Sequence, residues 1–60
     1  MWTLRAVRQS LEPRGVAVRR AEPYPDGRDK FEAFVKREPS RRVACDDPES
    51  LYVKAIKQLL

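Results

Sequence analysis

Two sets of residues in this chain have chemistry to offer, and they differ in kind. Asp26, Asp29, Asp46, Asp47 and Glu49 are the carboxylates from which a general acid and base would be drawn, but all lie in turn-forming sequence or at a helix start. Such positions already employ a carboxylate for backbone hydrogen bonding, so a structural role is expected for each. Cys45 is the one cysteine and the chain has no histidine. With no imidazole to take its proton, and with Asp46 and Asp47 beside it to oppose a thiolate, it reads as a buried thiol. The same inventory provides no zinc-type ligand set and no internal disulfide, and with glycine only at 15 and 27 there is no phosphate-cradling loop. No catalytic residue, metal or cofactor is expected, and the chain does not read as an enzyme.

The second set is electrostatic. Arg19, Lys30, Lys36 and Arg42 fall at outward positions around Phe34 once the strands are placed as below. Cations neutralise phosphates, an arginine fork can read guanine edges in a major groove wide enough for a sheet, and an aromatic ring can meet a thymine methyl or stack on a base. Thirteen Lys and Arg against nine Asp and Glu leave a formal charge of +4, which favours a polyanion over a cationic partner. The bland alternative is that any basic protein shows a few outward cations, and Glu32 sits in the middle of this group.

The elements that would position these residues follow from spacing. Leu4, Val7 and Leu11 predict a helix over 3–12, stopped by Pro13 and Gly15. Val16 to Ala21 predicts a strand with Val16 and Val18 inward and Ala17 and Arg19 outward. Pro23, Pro25 and Gly27 make a loop, sharpest at Pro25-Asp26-Gly27. Lys30 to Lys36 then alternates as a half-buried central strand, with Phe31, Ala33 and Val35 on one side and Lys30, Glu32, Phe34 and Lys36 on the other. A rival reading makes 30–37 a short helix, since Phe31, Phe34 and Val35 also fit helical spacing and Asp29 with Glu32 mimics a capping box. Arg41 to Cys45 predicts a third strand, with Val43 and Cys45 inward and Arg42 and Ala44 outward. Asp47 as N-cap, Pro48 at the first helical position and Glu49 after it predict a helix over 48–60. Its apolar stripe is centred on Tyr52, Ala55, Ile56 and Leu59, with Leu51, Val53 and Leu60 flanking. Trp2 and Tyr24 are expected to fold over the edge of the core, with ligand contact as the alternative for each.

The resulting fold class is α+β: helix, three-stranded antiparallel sheet, helix, as one domain over 1–60 with both helices on one face. A chain of 60 residues hides only about 60% of its unfolded surface, which leaves room for a partner to complete the core. Arg5 and Arg8 stand where a signal peptide would be apolar, and no apolar run approaches the roughly 20 residues of a membrane span. A soluble, cytoplasmic protein is expected.

The order Asp26-Gly27-Arg28, Lys30 to Val35, Arg41-Arg42-Val43, then Asp47-Pro48-Glu49-Ser50-Leu51 and its helix resembles the three-stranded-sheet DNA-binding domains of tyrosine recombinase N-termini and of plant ethylene-response-type factors. The resemblance implies a sheet that enters the major groove while a helix braces it from behind. Those families often carry a tryptophan and more arginines on the docking strands, where Glu32 and Phe34 stand here. The element order is also similar to the HicA mRNA-interferase toxins, which rely on a histidine that this chain lacks. The expectation is a small DNA-binding accessory or regulatory protein of a phage or mobile element, gripping double-stranded DNA through Arg19, Lys30, Phe34, Lys36 and Arg42. The alternative is a protein-interaction module or inhibitor that binds an acidic host protein through the last helix or a sheet edge. Val53 and Leu60, at the margin of the helix stripe, hint at a homodimer surface, with a frayed helix end as the other reading.

Overall fold

A computed structural model of the chain describes residues 2–60. Helix α1 spans Leu4–Leu11 and begins at Thr3, whose backbone is extended and whose Oγ1 accepts the Ala6 N–H at 3.1 Å. Val7 and Leu11 are fully buried and Leu4 packs at the rim of the same cluster. A 3-10 turn over Glu12–Arg14 holds Pro13, which ends the helical ladder, and Gly15 reverses the chain at φ +82°.

The chain then folds into β1 (Val16–Ala21), β2 (Lys30–Val35) and β3 (Arg41–Cys45), joined antiparallel with β2 in the middle. Register places Val16 and Val18 of β1 opposite Val35 and Ala33, and Phe31 and Ala33 opposite Cys45 and Val43 of β3. Those residues share one face because side chains alternate along a strand. Helix α2, Pro48–Leu59, packs on β2 and β3, α1 packs on β1, and the two helices touch each other. One core results, built on Val7, Leu11, Val16, Phe31, Val35 and Leu51 with smaller neighbours. The αβββα arrangement is the one expected, and the helical alternative for 30–37 is overturned. Phe31, Ala33 and Val35 are all buried, a period of two that a helix cannot produce, and strands on both sides take up the backbone groups of β2.

Helix α2 starts as anticipated, with Asp47 accepting the Ser50 N–H at 3.2 Å and Pro48 following it. Its buried stripe differs from the expectation. Leu51 and Ala55 are fully buried while Tyr52, Ile56 and Leu59 are half-buried, so the centre is rotated from Tyr52 and Ile56 towards Leu51. The cause is local. Trp2 stacks on the Tyr52 ring, with centroids 4.6 Å apart and planes 26° apart, and this aromatic pair covers the helix flank and leaves the centre to Leu51. Val53, 47% exposed, and Leu60 lie outside the core. At the far end the Arg37 guanidinium donates to Leu59 O at 3.2 Å, satisfying one of the carbonyls that a helix terminus leaves free.

Both sheet edges carry a cation on an outward carbonyl. Arg8 Nε donates to Val18 O on β1 at 3.2 Å, and Lys54 Nζ donates to Ala44 O on β3 at 3.2 Å. An edge strand turns alternate backbone groups outward, and a charged side chain laid on them blunts pairing with another chain.

Two stability outcomes follow from this packing. Leu51→Ala empties a sealed core position and lowers the unfolding free energy by about 2–5 kcal/mol in urea titration, while Val53→Ala stays within about 0.5 kcal/mol. Gly15→Ala costs about 1–2 kcal/mol, all of it from the backbone, because an added Cβ meets no atom within 4 Å while φ stays at +82°.

Candidate functional site

The face of the sheet opposite the helices is uncovered. It displays Ala17, Arg19 and Ala21 from β1, Lys30, Glu32 and Phe34 from β2, and Arg42 and Ala44 from β3, in rows set by the register Ala17–Phe34–Arg42 and Arg19–Glu32–Ala44. Small alanines beside a large aromatic leave a depression of about 330 Å³, lined by Ala17, Arg19, Glu32, Phe34 and Arg42. Phe34 is 37% exposed there, so a ring that a core would normally claim faces outward.

Glu32 is the unusual member. It is 8% exposed, the one buried charged residue among those described, and it lies on the open face rather than in the core. Its position explains its burial: a residue at the centre of three strands has neighbours on every side. Arg19, directly opposite on β1, donates from Nε at 2.9 Å and from Nη2 at 2.7 Å, both to Oε1. No hydrogen bond falls on Oε2 among the described residues, and since no buried side-chain polar atom is left unpaired, Oε2 reaches solvent. The Arg19 side chain is itself 71% exposed, so the pair is a buried acceptor holding a wet guanidinium in one orientation.

Of the five residues singled out from the sequence, the structure gathers Arg19, Phe34 and Arg42 around the depression. The other two stand apart. Lys30 is half-buried with its Nζ 5.5 Å from the centre of the Tyr24 ring, which draws it towards the loop before β2. Lys36 lies one residue beyond β2, its backbone N–H on Gly15 O at 3.2 Å, and does not line the depression. The strand ends at Val35 because the chain turns immediately afterwards, with Arg37 N–H bonding back to Val35 O. The Arg19–Glu32 pairing was not anticipated, although it was readable. Given β1 and β2 as a hairpin, opposite charges fall on directly facing positions. Tyr24 folds back under Arg28 and Lys30, with the Arg28 guanidinium 5.0 Å from its ring centre.

The carboxylates have other duties. Asp26 accepts the Arg28 N–H at 3.1 Å and pairs with its guanidinium, which also reaches Asp46 at 3.0 Å, so Arg28 ties the β1–β2 loop to the start of α2. Asp29 pairs with Arg20 at 3.1 Å, Asp47 caps α2, and Glu49 lies in the first turn of α2. Asp26 is held below its ordinary value chiefly by the Arg28 backbone N–H, and Asp47 by the hydrogen bonds from Ser50. Cys45 donates its thiol to Asp47 O at 3.1 Å, and burial pushes its pKa up, so it stays protonated near neutrality.

The hydrogen bonds from Arg19, aided by the charges of Arg19, Arg42 and Lys30, hold the Glu32 carboxyl below the ordinary 4.5 despite its desolvation. A carboxyl whose pKa is lowered by folding contributes stability above its unfolded value, and that contribution is lost as pH falls through the folded value. In Glu32→Gln the site is neutral at every pH. The stability gap between the wild type and this variant is therefore widest above about pH 4.5 and shrinks steadily in more acid solution, as read from urea midpoints over that range. A gap constant with pH would show that Glu32 is not held ionised by Arg19. Comparison of the chain with protein-family models, with curated proteins and with solved structures found no match.

Proposed function

We propose that this chain is a nucleic-acid-binding module that docks through the open face of its sheet. The observation that carries the reading is the depression where an outward Phe34 lies between two arginines, one oriented by a buried carboxylate. Stability alone does not ask for this arrangement. Burying Glu32 costs desolvation, and an aromatic ring is left in water. Both features suit a ligand that is anionic and flat, because arginine meets phosphate and the ring meets a base. Arg42, with no side-chain partner among the described residues, has its donors free for phosphate, and Lys36 adds charge at the same end of the sheet.

Both edges being occupied by Arg8 and Lys54 weighs against the sheet-edge version of a protein-binding role. Reversing charge separates what remains. Arg42→Glu lowers affinity for a mixed-sequence nucleic acid by about tenfold or more in anisotropy titrations and takes close to one unit off the slope of log affinity against log salt. Lys36→Glu, outside the depression, has the smaller effect. Affinity and salt slope unchanged in Arg42→Glu would sink the reading. Spectral shifts confined to α2 around Val53 would point to a protein partner instead.

A further inference from the structure

The open face gives more than a general affinity for polyanions: we infer that its ligand is single-stranded, with one unpaired base lying flat on Phe34 inside the depression. This rests on the docking face proposed above and narrows it to a class of nucleic acid.

Shape is the first support. Reading a base edge in the groove of a duplex requires side chains that project from the protein. Here the central residues line a hollow, with Ala17 beside Phe34 and Ala44 beside Glu32 keeping its surroundings low. Its volume of about 330 Å³ lies at the bottom of the roughly 300–1,000 Å³ range of ligand pockets, room for one planar group rather than for a double helix. A base can enter such a hollow face-on only when it is free of its partner strand.

Hydrogen bonding is the second support. Glu32 Oε2 opens to solvent at the site with no donor among the described residues, while Oε1 is saturated by Arg19. An acceptor next to the remaining Arg19 donors matches the polar edge of an unpaired base, whose amino or imino hydrogens and ring acceptors are used up inside a duplex. Arg42, across the ring from Ala17 in the register, is placed for a backbone phosphate of that nucleotide.

Charge distribution along the strands is the third. The end of the sheet that holds the β2–β3 turn carries Lys36, Arg37, Arg41 and Arg42. At the opposite end Asp26, Asp29 and Asp46 hold Arg20 and Arg28 in ion pairs, so those arginines are already engaged. A duplex laid in contact with this face offers a phosphate backbone on both rims of its groove, and one rim would meet arginines already held in ion pairs. A single backbone needs only the cationic end.

The test uses the whole chain and a labelled mixed-sequence single-stranded oligonucleotide, compared with the blunt duplex formed from it and its complement, in anisotropy titrations at two salt concentrations. Variants are Phe34→Ala and Phe34→Trp. Both alter an exposed ring, and circular dichroism verifies their fold. The expected result is binding of the single strand at least tenfold tighter than the duplex, a loss of about 5- to 150-fold in Phe34→Ala, and recovery in Phe34→Trp. Equal or tighter binding of the duplex with no effect of Phe34→Ala overturns the single-strand inference and leaves the docking face standing. Binding of neither, at low salt, overturns both.

Discussion

The alternation of β2 is the constraint on which this molecule depends. Phe31, Ala33 and Val35 must all reach the same side, and two helices of 8 and 12 residues are enough to cover that side but no more. Everything on the other side follows from that shortage. Every second residue of the central strand is forced onto a face that no element covers, where the flanking strands and the Arg19 side chain shelter Glu32 while Phe34 stays exposed. Glu32 is buried in this sense: by its neighbours in the sheet, with the core on the far side of the backbone.

Such a placement has an energetic signature of its own. A carboxylate taken out of water needs compensation, and Arg19 supplies two hydrogen bonds from one guanidinium. The compensation is one-sided, since Arg19 remains mostly in solvent and loses little hydration of its own. An apolar pair at the same two facing positions would avoid the desolvation altogether, so the pair is poor evidence for stability. What it accomplishes is restraint. Both bonds land on a single oxygen, which restrains the guanidinium and leaves the second oxygen to solvent. A free arginine on a sheet surface would sample many rotamers, and the conformational entropy lost on binding would fall on the ligand's affinity.

The fold was legible because local signals agreed with one another. Pro13 and Gly15 ended α1, Asp47 and Pro48 began α2, and the three strands ran as their alternation said, giving sheet order and core face together. What was not legible depended on contacts between distant residues. The stripe of α2 turned towards Leu51 because Trp2, from the other end of the chain, occupies the flank beside Tyr52. Lys30 left the site because Tyr24 offered its ring, and Lys36 fell outside because the turn after Val35 comes at once. Periodicity assigns a side chain to a face, but it does not say which neighbour on that face will claim it.

The polarity of charge along the strands has a structural origin with a functional consequence. The start of α2 favours anions, and Asp47 and Glu49 stand there; its end favours cations, and Lys57 and Arg37 stand there. Helix chemistry thus sets the sign at each end of the molecule. Yet Lys36 and Arg42 add to the cationic end without serving the helix, and Arg41 is held to it only through Gln58 at 2.9 Å. The acidic end shows the reverse economy, with Asp26, Asp29 and Asp46 each met by an arginine. Asp26, Asp29 and Asp46 are neutralised where they occur, and Lys36 and Arg42 are left without an ion-pair partner among the described residues at the other end. The surplus of cations therefore lies at the β2–β3 turn, beside the depression that Arg42 and Phe34 line on the open face.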